Sequence, residues 1–137
     1  MSRGYLLVRV EGRPYGLPLA QVLEVSDVAE VFSAPRALPA LRGLTTLRGH
    51  LVPLVHLGAL LGDRGAPDER GRTAVLVRLT HTQVALEVDD VDEVVREDPL
   101  PVPDGQRLPW AGGVARPHGR EGLVPILDLE ALEERMP

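Results

Sequence analysis

The sequence contains no cysteine, no lysine and no asparagine, and the first two absences each remove a class of chemistry. Without cysteine there is no disulfide framework, no thiolate metal site and no thiol nucleophile. Without lysine there is no Walker-type phosphate lysine and no Schiff base. The serines Ser2, Ser26 and Ser33 lack the glycine neighbours of a nucleophile elbow. We therefore expect a protein that is not an enzyme.

Aromatic residues and long apolar runs are also scarce. One Trp, one Phe and two Tyr are too few for the stacking platforms of single-strand nucleic-acid binders. A net charge of −5 and a pI near 5.3 argue against the basic patch that phosphate binding needs. The apolar runs are far shorter than the ~20 residues of a membrane span, and the N-terminus lacks a signal-peptide core. We expect a cytoplasmic protein without nucleic-acid partners or membrane insertion.

The histidines and acids do not form a metal-binding pattern. The four histidines are His50, His56, His81 and His118. None of their spacings matches the zinc-binding patterns H-x-x-x-H or H-E-x-x-H. The acidic run of residues 89–93 lacks the order and the glycine of a calcium loop. We therefore predict neither a metal nor a cofactor.

The chain is organised around residues 41–57. Two apolar runs, from Gly43 to Leu47 and from Leu51 to Leu57, flank Arg48-Gly49-His50. Apolar runs separated by a break with glycine are typical of a buried β-hairpin. We predict a hairpin with Arg48 near its corner. From the pattern alone, this arginine caps backbone carbonyls or pairs with a nearby acid.

Shorter segments on either side predict strands and short helices. Leu19, Val22 and Leu23 share one helical face, so a short helix is predicted over residues 18–25, followed by a strand at 28–32. Asp128 is the predicted N-cap of a C-terminal helix. Its apolar face would consist of Leu129, Leu132 and Met136. Further strand pairs are predicted at 4–10 with 14–17, 73–79 with 83–88, and 112–116 with 123–127, and loops at 33–39, 62–72 and 99–105, of which 62–72 is expected to be mobile.

The sequence repeats itself. Residues 51–60 align with residues 123–132 at an offset of 72, and residues 17–25 align with 86–94 at an offset of 69. We read one domain, residues 1–137, with related halves at about 1–66 and 67–137. Each half has too little sheet to bury both faces unless it curls, which predicts two small barrels on a shared core. A single open β-sandwich is the alternative. Pro53 and Pro125 share one repeat position inside a strand, which predicts an edge or a bulge there.

The central hairpin resembles the signature G-V-x-N-L-R-G-x-x-V-P-V-x-D-L of the CheW-like coupling domains of bacterial chemotaxis. Thr46 replaces the usual Asn and His56 the usual Asp, so His56 is expected to be a weakened helix cap. Further stretches at 5–8, 15–17, 22–25, 86–91 and 124–129 resemble the family. The residues that carry the main match are Gly43, Leu47, Arg48, Gly49, Val52, Pro53, Val55 and Leu57.

The resemblance implies a mainly β fold of two five-stranded SH3-like barrels on a shared hydrophobic core, with short helices and a C-terminal helix. It implies an adaptor that couples the cytoplasmic tip of a chemoreceptor to the regulatory domain of a CheA-type histidine kinase. The alternatives are a scaffold of another array, such as one for pilus motility, a diverged module, and a small barrel that binds a ligand or nucleic acid. The implied partner-binding positions are Val22, Glu24, Gly43, Leu47, Arg48 and Gly49.

Overall fold

A computed structural model describes residues 3–28, 30–33, 39–68, 73–102, 109–117 and 122–136. The predicted loops lie partly outside these ranges, at 34–38, 69–72 and 103–105, and so does His118. The described part of the 62–72 loop is tied to the fold. The amide of Ala66 donates to the carbonyl of Pro39 at 3.1 Å, and Arg64 pairs with Glu11.

Ten strands and two short helices make up the described chain. The strands are β1 (Tyr5–Val10), β2 (Arg13–Pro18), β3 (Val22–Asp27), β4 (Leu41–Leu47), β5 (His50–His56), β6 (Thr73–Arg78), β7 (Gln83–Val88), β8 (Asp90–Val95), β9 (Ala111–Ala115) and β10 (Val124–Leu127). The helices are α1 (Leu57–Gly62) and α2 (Leu129–Glu133).

The strands form two five-stranded sheets that exchange hairpins between the sequence halves. Barrel 1 has the order β8-β1-β2-β10-β9, and barrel 2 has the order β3-β6-β7-β5-β4. The hairpin β1–β2 therefore joins three strands of the second half, and the hairpin β6–β7 joins three strands of the first. The exchange creates one parallel contact per sheet, β2 with β10 and β7 with β5.

Three apolar clusters explain this arrangement. Leu47, Val52 and Leu54 lie in the cluster inside barrel 2, and Tyr5 and Ile126 lie in the cluster inside barrel 1. The largest cluster lies between the barrels, where both short helices also bury their leucines. The prediction of two SH3-like barrels on a shared core is confirmed, although no ladder closes β3 onto β4 within the described residues.

The predicted helix over residues 18–25 is wrong. Only Leu19–Gln21 forms a single 3-10 turn, and the chain then enters β3, which pairs with β6. The equivalent segment of the second half is strand β8, so Glu24 and Glu93 both lie on strands. Among the described residues of the predicted strand at 28–32, the pairing is one bridge, in which Phe32 and Leu44 exchange backbone hydrogen bonds of 2.7 and 2.8 Å.

The two strand prolines lie in interior strands rather than at an edge or bulge. Pro53 is opposite Leu44, whose backbone groups bond to Phe32 on its other side. Pro125 is opposite Val114, whose backbone groups bond in the same way to Leu100. The antiparallel ladder therefore needs no N–H from either proline, which is why an interior strand tolerates it.

Both helices begin with a side-chain cap, as predicted. Asp128 accepts hydrogen bonds from the amides of Glu130 and Ala131 at 3.1 and 3.2 Å. The ring of His56 accepts from the amide of Ala59 at 2.9 Å. Helix α2 ends at Glu133, so Met136 packs on the shared core from beyond the helix.

Candidate partner-binding surface

Arg48 and Gly49 form the two-residue turn of the β4–β5 hairpin, between the paired residues Leu47 and His50. Their φ angles are 54° and 76°, as a type I′ turn requires, because that turn matches the twist of the strands. Arg48 is the unusual member, since positive φ is uncommon outside Gly, Asn and Asp. The turn projects the arginine into solvent, with 58% of its side chain exposed.

An ion pair joins the two edge strands of barrel 2 at this turn. The Nε atom of Arg48 lies 3.8 Å from Oε2 of Glu24, which is on β3 opposite Leu76. That distance is too long for a hydrogen bond. Oε2 is nevertheless buried and has no hydrogen-bond partner among the described residues. Buried carboxylate oxygens normally accept hydrogen bonds, so this one is an exception. The Glu24 side chain as a whole is 33% exposed, and a donor from another molecule would reach Oε2 only if the side chains around it moved.

Gly43 brings the chain close to itself where β4 begins. Its φ is +148°, and a Cβ at this position would lie 2.2 Å from the carbonyl oxygen of Phe32. Only glycine allows the Phe32–Leu44 bridge to form at this distance. The glycine is therefore required by the backbone geometry rather than exposed as a contact.

The structure brings only some of the six predicted positions together at one surface. Glu24, Arg48 and Gly49 lie at one end of barrel 2. Leu47 is beside them but buried in the barrel 2 cluster. Val22 packs on the shared core between the barrels.

Among the described residues six large apolar side chains are exposed, and they form three pairs at equivalent positions of the two barrels. Val25 on β3 corresponds to Val94 on β8, and Leu51, with 62% exposed, corresponds to Leu123. The third pair is Phe32, which bridges to Leu44 on β4, and Leu100, which bridges to Val114 on β9. Each barrel thus carries an equivalent set: Val25, Phe32 and Leu51 on barrel 2, and Val94, Leu100 and Leu123 on barrel 1. The repeat alignment contained the first two pairs but not Phe32 and Leu100, and it gave no sign that any of these side chains is exposed.

Sequence reasoning missed a buried polar network beside helix α1. Glu87, on β7, is 1% exposed and accepts hydrogen bonds from Nε and Nη2 of Arg42 at 3.1 and 2.9 Å. Nε2 of His56 lies 3.8 Å from the same carboxylate. Burial lowers the pKa of His56 below its usual value, although Glu87 opposes this shift. The network locks β4 to β7, and it had no local signal because Arg42 and Glu87 are 45 residues apart.

The described residues contain no group of three His, Asp or Glu side chains that could hold a metal ion. None of the helices in the described ranges has the length and apolar character that crossing a membrane demands. What the described surface does present is six exposed apolar side chains and an arginine turn, which are features of protein contacts.

The comparisons with known proteins agree with this fold. A family model described as the CheW-like domain matches residues 4–135. A solved structure described as the scaffolding protein TtCheW from Thermoanaerobacter tengcongensis superposes with a TM-score of 0.78, covering 96% of this chain and 92% of that one. At 22% identity this likeness shows the fold alone. The search of the curated proteins gives no match.

The family match spans nearly the whole chain. CheW-like proteins are non-catalytic scaffolds and adaptors, in agreement with the expectation that the chain is not an enzyme. The chain belongs to the CheW-like domain family.

Proposed function

We propose that this protein is a cytoplasmic chemotaxis adaptor that couples the tip of a chemoreceptor to the regulatory domain of a CheA-type histidine kinase. Family membership supports an adaptor role. The similar structure is described as a scaffolding protein, which agrees with that role.

The observation that carries the proposal is the duplication of exposed apolar surface. Each barrel presents a valine, a bridge residue and a leucine at equivalent positions. Exposed apolar side chains rimmed by polar residues mark protein interaction sites. Two such surfaces on one molecule suit a protein that must hold two partners at once.

The Arg48 turn adds specificity to the barrel 2 surface. A guanidinium presents a rigid fork of donors that binds a carboxylate or backbone carbonyls in two places, which an ammonium does not do. Beside it, the buried Oε2 of Glu24 lacks a donor. We propose that Arg48 turns to an acceptor on the partner, and that a donor of the same partner then binds the carboxylate of Glu24, whose side chain is 33% exposed. Gly49 leaves space for that approach, because nothing lies within 4 Å of where its Cβ would be.

The other three predicted positions support this surface from below. Gly43 permits the bridge that positions Phe32, and Leu47 anchors the turn in the barrel 2 cluster. Val22 fixes the start of β3 to the shared core. We expect substitutions at these positions to weaken partner binding by moving the contact residues.

Calorimetric titration with the regulatory domain of a CheA-type kinase from the same genome tests the proposal. Arg48→Ala should weaken micromolar binding about tenfold, the loss expected for one interface arginine. The melting temperature should change by only a few degrees, because an exposed ion pair contributes about 1 kcal/mol or less. Arg78→Ala is the matched control, since Arg78 is an exposed arginine on the same barrel.

Two outcomes would contradict this assignment. If Arg48→Ala unfolds the protein, Arg48 is structural. If the folded wild-type protein binds no encoded kinase of this type, the protein serves another array, such as one for pilus motility, or has diverged from kinase coupling.

A further inference from the structure

Two grooves lie against the shared core at positions related by the internal repeat. The α1 groove, between the β1–β2 hairpin and helix α1, includes Tyr15 and Arg64. The α2 groove, between the β6–β7 hairpin and helix α2, includes Val84 and Met136. Val84 follows Tyr15 at the offset of 69, and Met136 follows Arg64 at the offset of 72. The two grooves are therefore the same site in the two halves of the fold.

The protein fills the α1 groove with its own side chains. The rings of Tyr15 and Trp110 meet edge to face, with centroids 5.7 Å apart. Arg64 pairs with Glu11 across the groove. About 410 Å³ remains open. The chain thus partly fills this site with an aromatic pair and a salt bridge.

The α2 groove lacks these side chains. The position of Tyr15 is taken by Val84, and that of Arg64 by Met136. Neither replacement fills the same space, and neither supplies the cation that Arg64 provides in the α1 groove. The open volume is accordingly larger, about 750 Å³.

The counterpart of Trp110 is also small. The amide of Asp128 donates to the carbonyl of Trp110 at 2.7 Å, and the equivalent amide of His56 donates to the carbonyl of Ala40 at 2.9 Å. Ala40 therefore occupies the tryptophan position of the α2 groove. Both rings that close the first groove are missing from the second.

The α2 groove combines an apolar floor with an acidic rim. Its floor includes Leu41, Pro53, Val55 and Leu79. Glu133 is already engaged, because the amides of Thr80 and His81 donate to it and hold the pKa of its carboxyl below the usual range. Glu130 and Glu134 are exposed and have no ion-pair partner among the described residues. The groove therefore carries unpaired negative charge at its edge.

We propose that the α2 groove binds a segment of a partner protein that inserts an aromatic side chain and places arginine or lysine beside Glu130 and Glu134. The aromatic anchor follows from the α1 groove, where tyrosine and tryptophan occupy the equivalent space. The basic flank follows from charge complementarity with the rim, which gives specificity and faster association. A second copy is disfavoured as the occupant, because the chain carries a net charge of −5. The described lining of the α2 groove does not include Glu24, Arg48 or Gly49, so this site is separate from the kinase contact proposed above.

Selection of short random peptides displayed on phage against the whole protein tests the proposal. Val84→Tyr restores the side chain of the α1 groove and serves as the blocked target. Selected peptides should share an aromatic residue next to arginine or lysine, and should bind Val84→Tyr at least about tenfold more weakly than wild type. The double reversal Glu130→Arg with Glu134→Arg should cause a similar loss. The matched reversal Glu93→Arg with Glu97→Arg, on and after β8, should not.

Fluorescence of Trp110 and circular dichroism report whether each variant is folded. If Val84→Tyr does not fold, the charge reversals alone test the proposal. Selected peptides that lack the aromatic and basic pair, or that bind all variants equally, would overturn the proposal. So would a dimer in sedimentation that Val84→Tyr dissociates, because a second copy would then occupy the groove. Protection of the Leu79 and Met136 methyl groups from a soluble paramagnetic agent would show that the chain itself covers the site, and would also overturn it.

Discussion

At the residue scale, one histidine takes the role that an aspartate has in the other half of the molecule. Asp128 caps α2 with a carboxylate, whereas His56 caps α1 through Nδ1. Because Nδ1 accepts the amide of Ala59, the neutral ring carries its proton on Nε2, which faces the carboxylate of Glu87. Protonation would place a second N–H against the Ala59 amide and remove the cap.

The free energy of unfolding should therefore depend on pH through His56. The charged groups around its ring are Glu87, Arg42, Glu11 and Arg64, and burial outweighs them to lower its pKa from 6.5. The unfolded chain takes up a proton near pH 6.5 that the folded protein does not. Stability should consequently fall as the pH drops below about 6.5, and level off below the folded-state pKa. Denaturant unfolding at several pH values measures this slope.

His56→Asn keeps an acceptor for the Ala59 amide but does not titrate, so its stability should change less over this pH range. Replacement of the exposed His50 by Asn is the matched control. Parallel curves for wild type and His56→Asn would show that other groups cause the pH dependence.

At the scale of elements, long patterns predicted structure better than short ones. The β4–β5 hairpin and Arg48 at its turn followed from two apolar runs around Gly49, as the structure confirms. The helix predicted over residues 18–25 was wrong, because the same apolar spacing also fits a bulged strand. Pairing with β6 decides in favour of the strand, a tertiary contact that no local pattern contains. The same limit hid the contact between Arg42 and Glu87.

The bridge next to β4 should depend on Gly43. Gly43→Ala places a Cβ against the Phe32 carbonyl at a φ that L side chains rarely adopt, so we expect a loss of about 2–4 kcal/mol in the free energy of unfolding. Gly65→Ala is the control, since nothing lies within 4 Å of its Cβ position, and it should change stability by about 1 kcal/mol or less. Denaturant unfolding compares the two. Equal effects would mean that the backbone relaxes around the new methyl group.

At the scale of the whole molecule, the repeat in the sequence does not correspond to the barrels in space. The alignment of the halves predicted two barrels, and the clusters confirm two. The alignment did not predict that the hairpins β1–β2 and β6–β7 exchange places. It predicts strands and their register within each half, but it contains no information about which strands pair between the halves. The exchange makes each barrel dependent on both halves, which supports the proposal that residues 1–137 act as one domain.

Separating the halves should therefore abolish folding of each one alone. A fragment of residues 1–66 keeps the hairpins β1–β2 and β4–β5 but loses β6 and β7, which join β3 to β5 in barrel 2. Isolated two-stranded hairpins are marginally stable at best in water, so neither this fragment nor residues 67–137 should unfold cooperatively. Mixed in equal amounts, the fragments should assemble into a one-to-one complex with the circular dichroism and Trp110 fluorescence of the intact protein. Cooperative unfolding of either fragment alone would show that a half is an independent folding unit and that the exchange of hairpins is not required for its stability.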